Sequence, residues 1–493
     1  MVTHFRAGTR VPAGARPTRG SAGVRRALTV ALLALAARGT PGAAQVGPAL
    51  APFVAESAPV VALRHARLID GTGAPLRENQ TIVIRDGRIA AVGDDAIVSV
   101  PAEARVHDLA GATVIPGLVD LHGHQYFYSS AGLTQMAVSG PRLYLGLGVT
   151  TVRTAGGQLP YDEINTKRDI DRGRAPGPRM FISGPYLDGP GAGPGHNRRL
   201  ESEEEARRVV AYWASEGATW LKFQGSVSRA ILAAAIDEAH RHGMRVTGHL
   251  CSVSFREAAA LGIDNLEHGF ITNSDYLPNR QPDRCSPENM RYQVNVDVES
   301  PAVDSTIREL TARRVALTST LSVYELFVPE RARIPEEALA AMSPAAGDAA
   351  RADLAATRAR EGLVVPVELF AKMMRFERKW VAAGGLLAAG VDPWGNGSLP
   401  GYGDLRNYEL LVEAGFAPEA AVRIVSANGA AVLGRAAEFG TVSIGKRADL
   451  VVLDGNPAAV PSDIRRVRWV FKDGVGYDSA KLISSVKGMV GVR

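Results

Sequence analysis

Two histidines separated by one glycine, His122 and His124, end the apolar run "GLVDLHGH" at 117–124. Side chains at i and i+2 of a strand share a face, so both imidazoles point the same way at the strand's end. Two further apolar runs carry a histidine in the same place, His249 in "VTGHL" and His268 in "NLEHGF". Asp392 ends "AAGVD", and Lys222 lies within "TWLKFQ". Each residue alone is ordinary, because a strand-end histidine is commonly a satisfied polar group and an aspartate after a strand often caps a helix. The joint pattern is not ordinary: four of the ten histidines, a lysine and an aspartate fall at one kind of position. Imidazole and carboxylate are good zinc ligands, so the chemistry to look for is metal-assisted.

The elements that must position these residues read as alternating strands and helices. Apolar runs "TVIPGLVDL", "VTTVRT", "RMFISGPYL", "TWLKFQ", "RVTGHL", "NLEHGF", "RVALTSTL" and "GLLAAGVD" alternate with helical patterns such as "SEEEARRVVAYWASEG" and "SRAILAAAIDEAHRHG". Eight such units predict an α/β fold, a (β/α)8 TIM barrel, whose chemistry sits at the C-terminal strand ends; a doubly wound open sheet is the alternative. No Gly-rich loop supports a nucleotide site, since "GPGAGPG" lacks the following lysine and helix. The helix at 202 carries a capping box, Ser202 with Glu205. Two long connections, 271–303 and 325–362, follow strands six and seven and are read as pocket walls or a lid. Alternating strands at 59–115 and again at 432–477 predict one small β-sandwich built from both chain ends, flanking a barrel at 116–431, with a linker at 45–58 and a tail at 478–493.

The net charge of +5 belongs to the N-terminus, where seven arginines precede the first acid, Glu56. The remainder is slightly acidic and presents no basic face for nucleic acid. Arg25 and Arg26 before "ALTVALLALAA", with small residues near Ala44, read as a signal peptide at 1–44. That predicts a periplasmic or secreted protein without a stable membrane anchor. Cys251 and Cys285 lie outside any CxxC motif and are expected to be free or incidental.

The motifs "PGLVDLHGH", "GVTTVR", "GATWLKF", "AHRHGMRVTGH", "GIDNLEHG" and "GTVSIGKRADLVVLDGNP" resemble the amidohydrolase superfamily, within the group near imidazolonepropionase and the metal-dependent prolidases. The resemblance implies a hydrolase of carbon–nitrogen bonds with two divalent ions, zinc above all. His122, His124 and Asp392 would hold one ion and His249 and His268 the other. Lys222 is implied to be carboxylated, giving an N6-carboxylysine bridge, and Asp392 to be the catalytic acid–base group. His196 is the implied substrate-side residue, with Tyr126, Arg198 and Tyr324 near the same rim. The implied substrate is a small amide or peptide, such as an Xaa-Pro-like dipeptide or N-acyl amino acid, its carboxylate gripped by Arg198 and Arg199; a homo-oligomer is also expected. Thr154 departs from the usual aspartate of "GVTTVRD", and "DLRNYELL" from a histidine-bearing stretch. Lactone, ester or phosphotriester hydrolysis, and a retired scaffold that only binds, remain open.

Overall fold

The computed structural model describes residues 46–492 except 130–131, 193–196, 394 and 396. The leader at 1–44 and His196 lie outside the described residues.

Eight strand positions succeed one another: β1 (Leu118–Gly123), β2 (Val149–Thr154), β3 (Arg179–Phe181, resumed at Tyr186–Asp188), β4 (Trp220–Phe223), β5 (Arg245–Gly248), β6 (Asn265–Glu267), β7 (Ala316–Ser319) and β8 (Leu387–Ala389). Neighbours pair in parallel throughout. β1, β2, β4, β6, β7 and β8 are buried at every residue, which is why they read as unbroken apolar runs rather than alternating ones.

The ladder does not close as a barrel's would. It forms two arcs, β1 to the first piece of β3 and the second piece of β3 to β8. Within β3, Gly184 takes a left-handed φ of 63°, and pairing there shrinks to a single bridge between Pro185 and Gly157, whose N–H donates to the Gly184 carbonyl at 2.8 Å. Between β8 and β1 the junction is the Asp392 N–H donating to the His122 carbonyl at 2.9 Å. Gly390 makes this approach possible, because a Cβ there would lie 2.4 Å from the His122 nitrogen.

Both chain ends enter one accessory unit, whose strands are hydrogen-bonded in a single nine-stranded sheet. The strand Thr113–Pro116 makes the connection. It pairs antiparallel with Leu450–Leu453 from the C-terminal part and parallel with the end of Val60–Leu68 from the N-terminal part. It therefore joins the two contributions edge to edge. Val61, Leu63, Ile82, Ile84, Val114, Leu450, Val452 and Phe471 form this sheet's own core, at the period-2 spacing a one-sided strand demands.

The connection 271–303 is mostly turns around the short helix Asn289–Tyr292, whereas 325–362 is largely helical. The Ala/Arg-rich stretch folds as Pro344–Arg358, capped by the Ser343 hydroxyl. The helix Val367–Ala382 buries Phe376 and Trp380 completely. Phe376 packs on Phe270, ring centroids 5.5 Å apart, and so fixes the turn Gly269–Thr272 that follows His268. Burying one such side chain contributes about 1.5–3 kcal/mol.

Candidate active site

β1 delivers His122 and His124 to one end of the arcs, β4 delivers Lys222, and the residues just past β5, β6 and β8 supply His249, His268 and Asp392. All six come together. His122 Nε2 lies 3.1 Å from Lys222 Nζ and 3.6 Å from Asp392 Oδ1. His124 Nε2 is 3.1 Å from the same Oδ1. His268 Nδ1 is 3.9 Å from Asp392 Oδ2, and the His249 and His268 ring centroids are 4.5 Å apart. One ligand atom from each of His122, His268 and Asp392 lies within 4.8 Å of the other two.

The backbone bends to achieve this. His268 and Asp392 hold φ of 65° and 52°, a left-handed conformation that costs a non-glycine residue on the order of 1–3 kcal/mol. Each turns the chain sharply as the strand ends, placing its side chain on the cavity. The far nitrogens of two imidazoles are tied back: His122 Nδ1 to Glu267 Oε2 at 2.8 Å and His124 Nδ1 to the Gly156 carbonyl at 3.2 Å. Holding Nδ1 leaves Nε2 facing the cavity, as metal-binding histidines require.

Burial and the Lys222 charge hold the His122 imidazole well below its ordinary pKa. Burial does the same to His268, and burial with Lys222 brings His249 down to about 4. These three are therefore neutral, with a lone pair to offer. Burial lowers Lys222 to about 8. Burial opposes ionisation of Asp392, but His122 and the His124 bond outweigh it and hold the carboxyl below the usual range. Underneath, the fully buried Glu267 receives bonds from Arg153, Thr247 and Asn265; burial raises its pKa, but Arg153 and Lys222 outweigh that and keep it ionised.

The group opens on a cavity of about 370 Å³. Tyr126 and Tyr324 line it as expected. Arg198 does not. The two-residue strand Arg198–Arg199 pairs with Leu187–Asp188, and Arg198 is 54% exposed, bound to Glu205 and bordering a separate groove beside Trp213. The Ser202 hydroxyl caps the helix by accepting from the Glu205 N–H at 3.2 Å, while the Glu205 carboxylate accepts from the Glu201 N–H rather than from that of Ser202. Arg199 is exposed as well.

The two cysteines are not free: Cys251, two residues past His249, is bonded to Cys285 in the connection after β6. Sequence reasoning missed this, and also Glu267, Arg153, Tyr186, Gln158 and Gln224. Tyr186 approaches His124 Nε2 at 3.0 Å and the Tyr126 hydroxyl at 2.6 Å.

The amidohydrolase family model matches residues 113–277 and 383–476. The chain belongs to the amidohydrolase family. A structure from Bifidobacterium longum, provisionally described as a prolidase, is 27% identical with a TM-score of 0.63, covering 87% of this chain and 99% of its own. This likeness gives the fold as the family's TIM barrel with an added domain. An uncharacterised protein of Mycobacterium tuberculosis is 28% identical over 233 residues, 43% of this chain and 58% of its own length. The enamidase of Eubacterium barkeri is 36% identical over 100 residues, 19% of this chain and 25% of its own. The chain thus spans less than two thirds of these curated relatives. All six gathered residues of this amidohydrolase fall inside the matched segments. The unmatched stretch 278–382 supplies Met290, Val323, Tyr324, Phe327 and Leu363 to the cavity.

Proposed function

We propose that this amidohydrolase cleaves an amide carbon–nitrogen bond in a small molecule. The observation that carries the reading is the convergence of His122, His268 and Asp392 within 4.8 Å, set in a family member. The donor set suits divalent metal: neutral imidazoles at His122, His249 and His268 and an ionised carboxylate at Asp392. His122, His124, His249, His268 and Asp392 would hold two ions, zinc by donor type. Lys222, lowered to about 8, has a neutral fraction at pH 7–8, the form that would add CO2 with loss of a proton, and the resulting carbamate would join the residues that hold metal. Bound ions would polarise the scissile carbonyl and acidify a water.

The chain's own groups account for the rest. Asp392, ionised and in contact with the cavity, accepts the water proton and passes it to the departing nitrogen. Burial keeps Tyr126, Tyr186 and Tyr324 protonated far above neutral pH, so their hydroxyls can donate to oxygen as charge develops on it. The Cys251–Cys285 disulfide supports an oxidising compartment, in keeping with export. The test is amine release from a panel of N-acyl amines and dipeptides by zinc-supplemented protein. Turnover of amides supports the reading, and turnover of lactones or phosphotriesters alone would replace it.

A further inference from the structure

We infer that the substrate portion lying in the cavity is uncharged: a neutral N-acyl amine bearing an aromatic or branched apolar group, not one carrying a free carboxylate. This rests on the amide-hydrolase reading above. Apart from the six gathered residues and the tyrosines, the described wall is made of two kinds of side chain. Met290, Val323, Phe327 and Leu363 give an apolar side, and Gln158, Gln224 and Asn197 give a neutral polar one.

No described arginine reaches this wall. Arg153 is fully buried and committed to Glu267. Arg198 faces Glu205. Arg291, next to Met290, is 77% exposed. Within 46–492, the stretches outside the described residues, 130–131, 193–196, 394 and 396, contain no lysine or arginine, their one basic side chain being His196. A substrate carboxylate would therefore give up its hydration without gaining a guanidinium fork.

The amides point the same way. Gln158 bonds the Tyr126 hydroxyl, while its Oε1 is buried without a partner. A buried carbonyl oxygen calls for an N–H or O–H donor and repels a carboxylate oxygen. Asn197 is already committed, its Nδ2 donating to Asp188 at 3.2 Å. Gln158 and Gln224 are thus the specificity residues, one asking for a donor and neither offering a charge. The apolar side comes from 278–382, the stretch outside the family match.

N-acetylphenethylamine and N-acetyl-L-phenylalanine differ only in the α-carboxylate and make the test. With zinc-supplemented full-length protein, the neutral amide should show a kcat/KM at least tenfold higher, chiefly through KM. Gln158→Arg and Gln224→Arg should each move the preference at least tenfold toward the acid. Calorimetric binding of both compounds to Asp392→Asn gives a second reading that needs no turnover. Tighter binding or faster turnover of the acid by the unsubstituted cavity overturns the inference while leaving the hydrolase. Binding that favours the neutral compound, with no amide turned over by the wild type, upholds it and removes the hydrolase. Binding of neither compound overturns it outright.

Discussion

Glu267 Oε2 lies 2.8 Å from His122 Nδ1, while its other oxygen is held by Arg153, and no part of this trio reaches solvent beyond a 2% exposure of His122. The carboxylate thus orients a candidate ligand and neutralises a buried guanidinium at once. Glu267→Gln keeps the shape but leaves Arg153 unpaired. Breaking a buried pair in this way costs about 3–5 kcal/mol. Losing the restraint on a ligating imidazole typically weakens metal binding about 10–100-fold. Denaturant unfolding and zinc titration of the variant check both, and an unchanged midpoint with unchanged affinity would show that Glu267 does neither job.

The Cys251–Cys285 bond ties the segment carrying His249 to the connection that brings Met290 into the cavity. A disulfide typically contributes about 2–4 kcal/mol. Cys285→Ser should lower the melting temperature, expose 271–303 to limited proteolysis and raise KM more than it lowers kcat. A cleavage pattern identical to that of the oxidised protein would contradict this role.

Glu163 is buried, and burial, only partly offset by a hydrogen bond with Thr154, pushes its pKa from 4.5 up to about 8. Between these values the unfolded chain has released the proton while the folded chain keeps it. Stability therefore falls as pH rises through this window, by about 1.4 kcal/mol per unit for one proton. His249, lowered to about 4, acts oppositely: its share is lost as pH falls from 6.5 toward 4. From pH 6.5 to 8 the acids dominate, with Asp120 and Glu377 adding in the same direction. Glu163→Gln should flatten the decline of the urea midpoint across that range. Parallel midpoint curves for variant and wild type would refute it.

What could be read from the sequence follows from which constraints are local. The strand-end histidines and Asp392 were legible because parallel strands buried on both faces tolerate polar groups mainly at their ends, so such residues stand out in Val/Ile/Leu runs. The same logic could have found Glu267 and Arg153, charged residues inside "NLEHG" and "VTTVRT", since a charge in a buried strand needs a partner. The disulfide was not legible, because 34 residues separate its cysteines and only the fold brings the two connections together. Arg198 misled because it sits beside the rim in sequence, whereas pairing with Leu187–Asp188 and the pull of Glu205 send it outward. The single accessory sheet turned on Thr113–Pro116 bonding both chain ends, a pairing that alternation alone does not specify.

Asp392→Asn tests the central claim most directly. Asparagine tolerates the left-handed φ of 52° that Asp392 holds, so the variant should keep the wild-type circular dichroism spectrum. It removes the one ionised carboxylate in contact with both His122 and His124. The measurement is amine release from the best N-acyl amine substrate, by zinc-supplemented wild type and variant side by side. The account predicts amide turnover by the wild type and a fall of roughly 10²–10⁴-fold in kcat for the folded variant. A folded Asp392→Asn protein within about tenfold of wild type would contradict it.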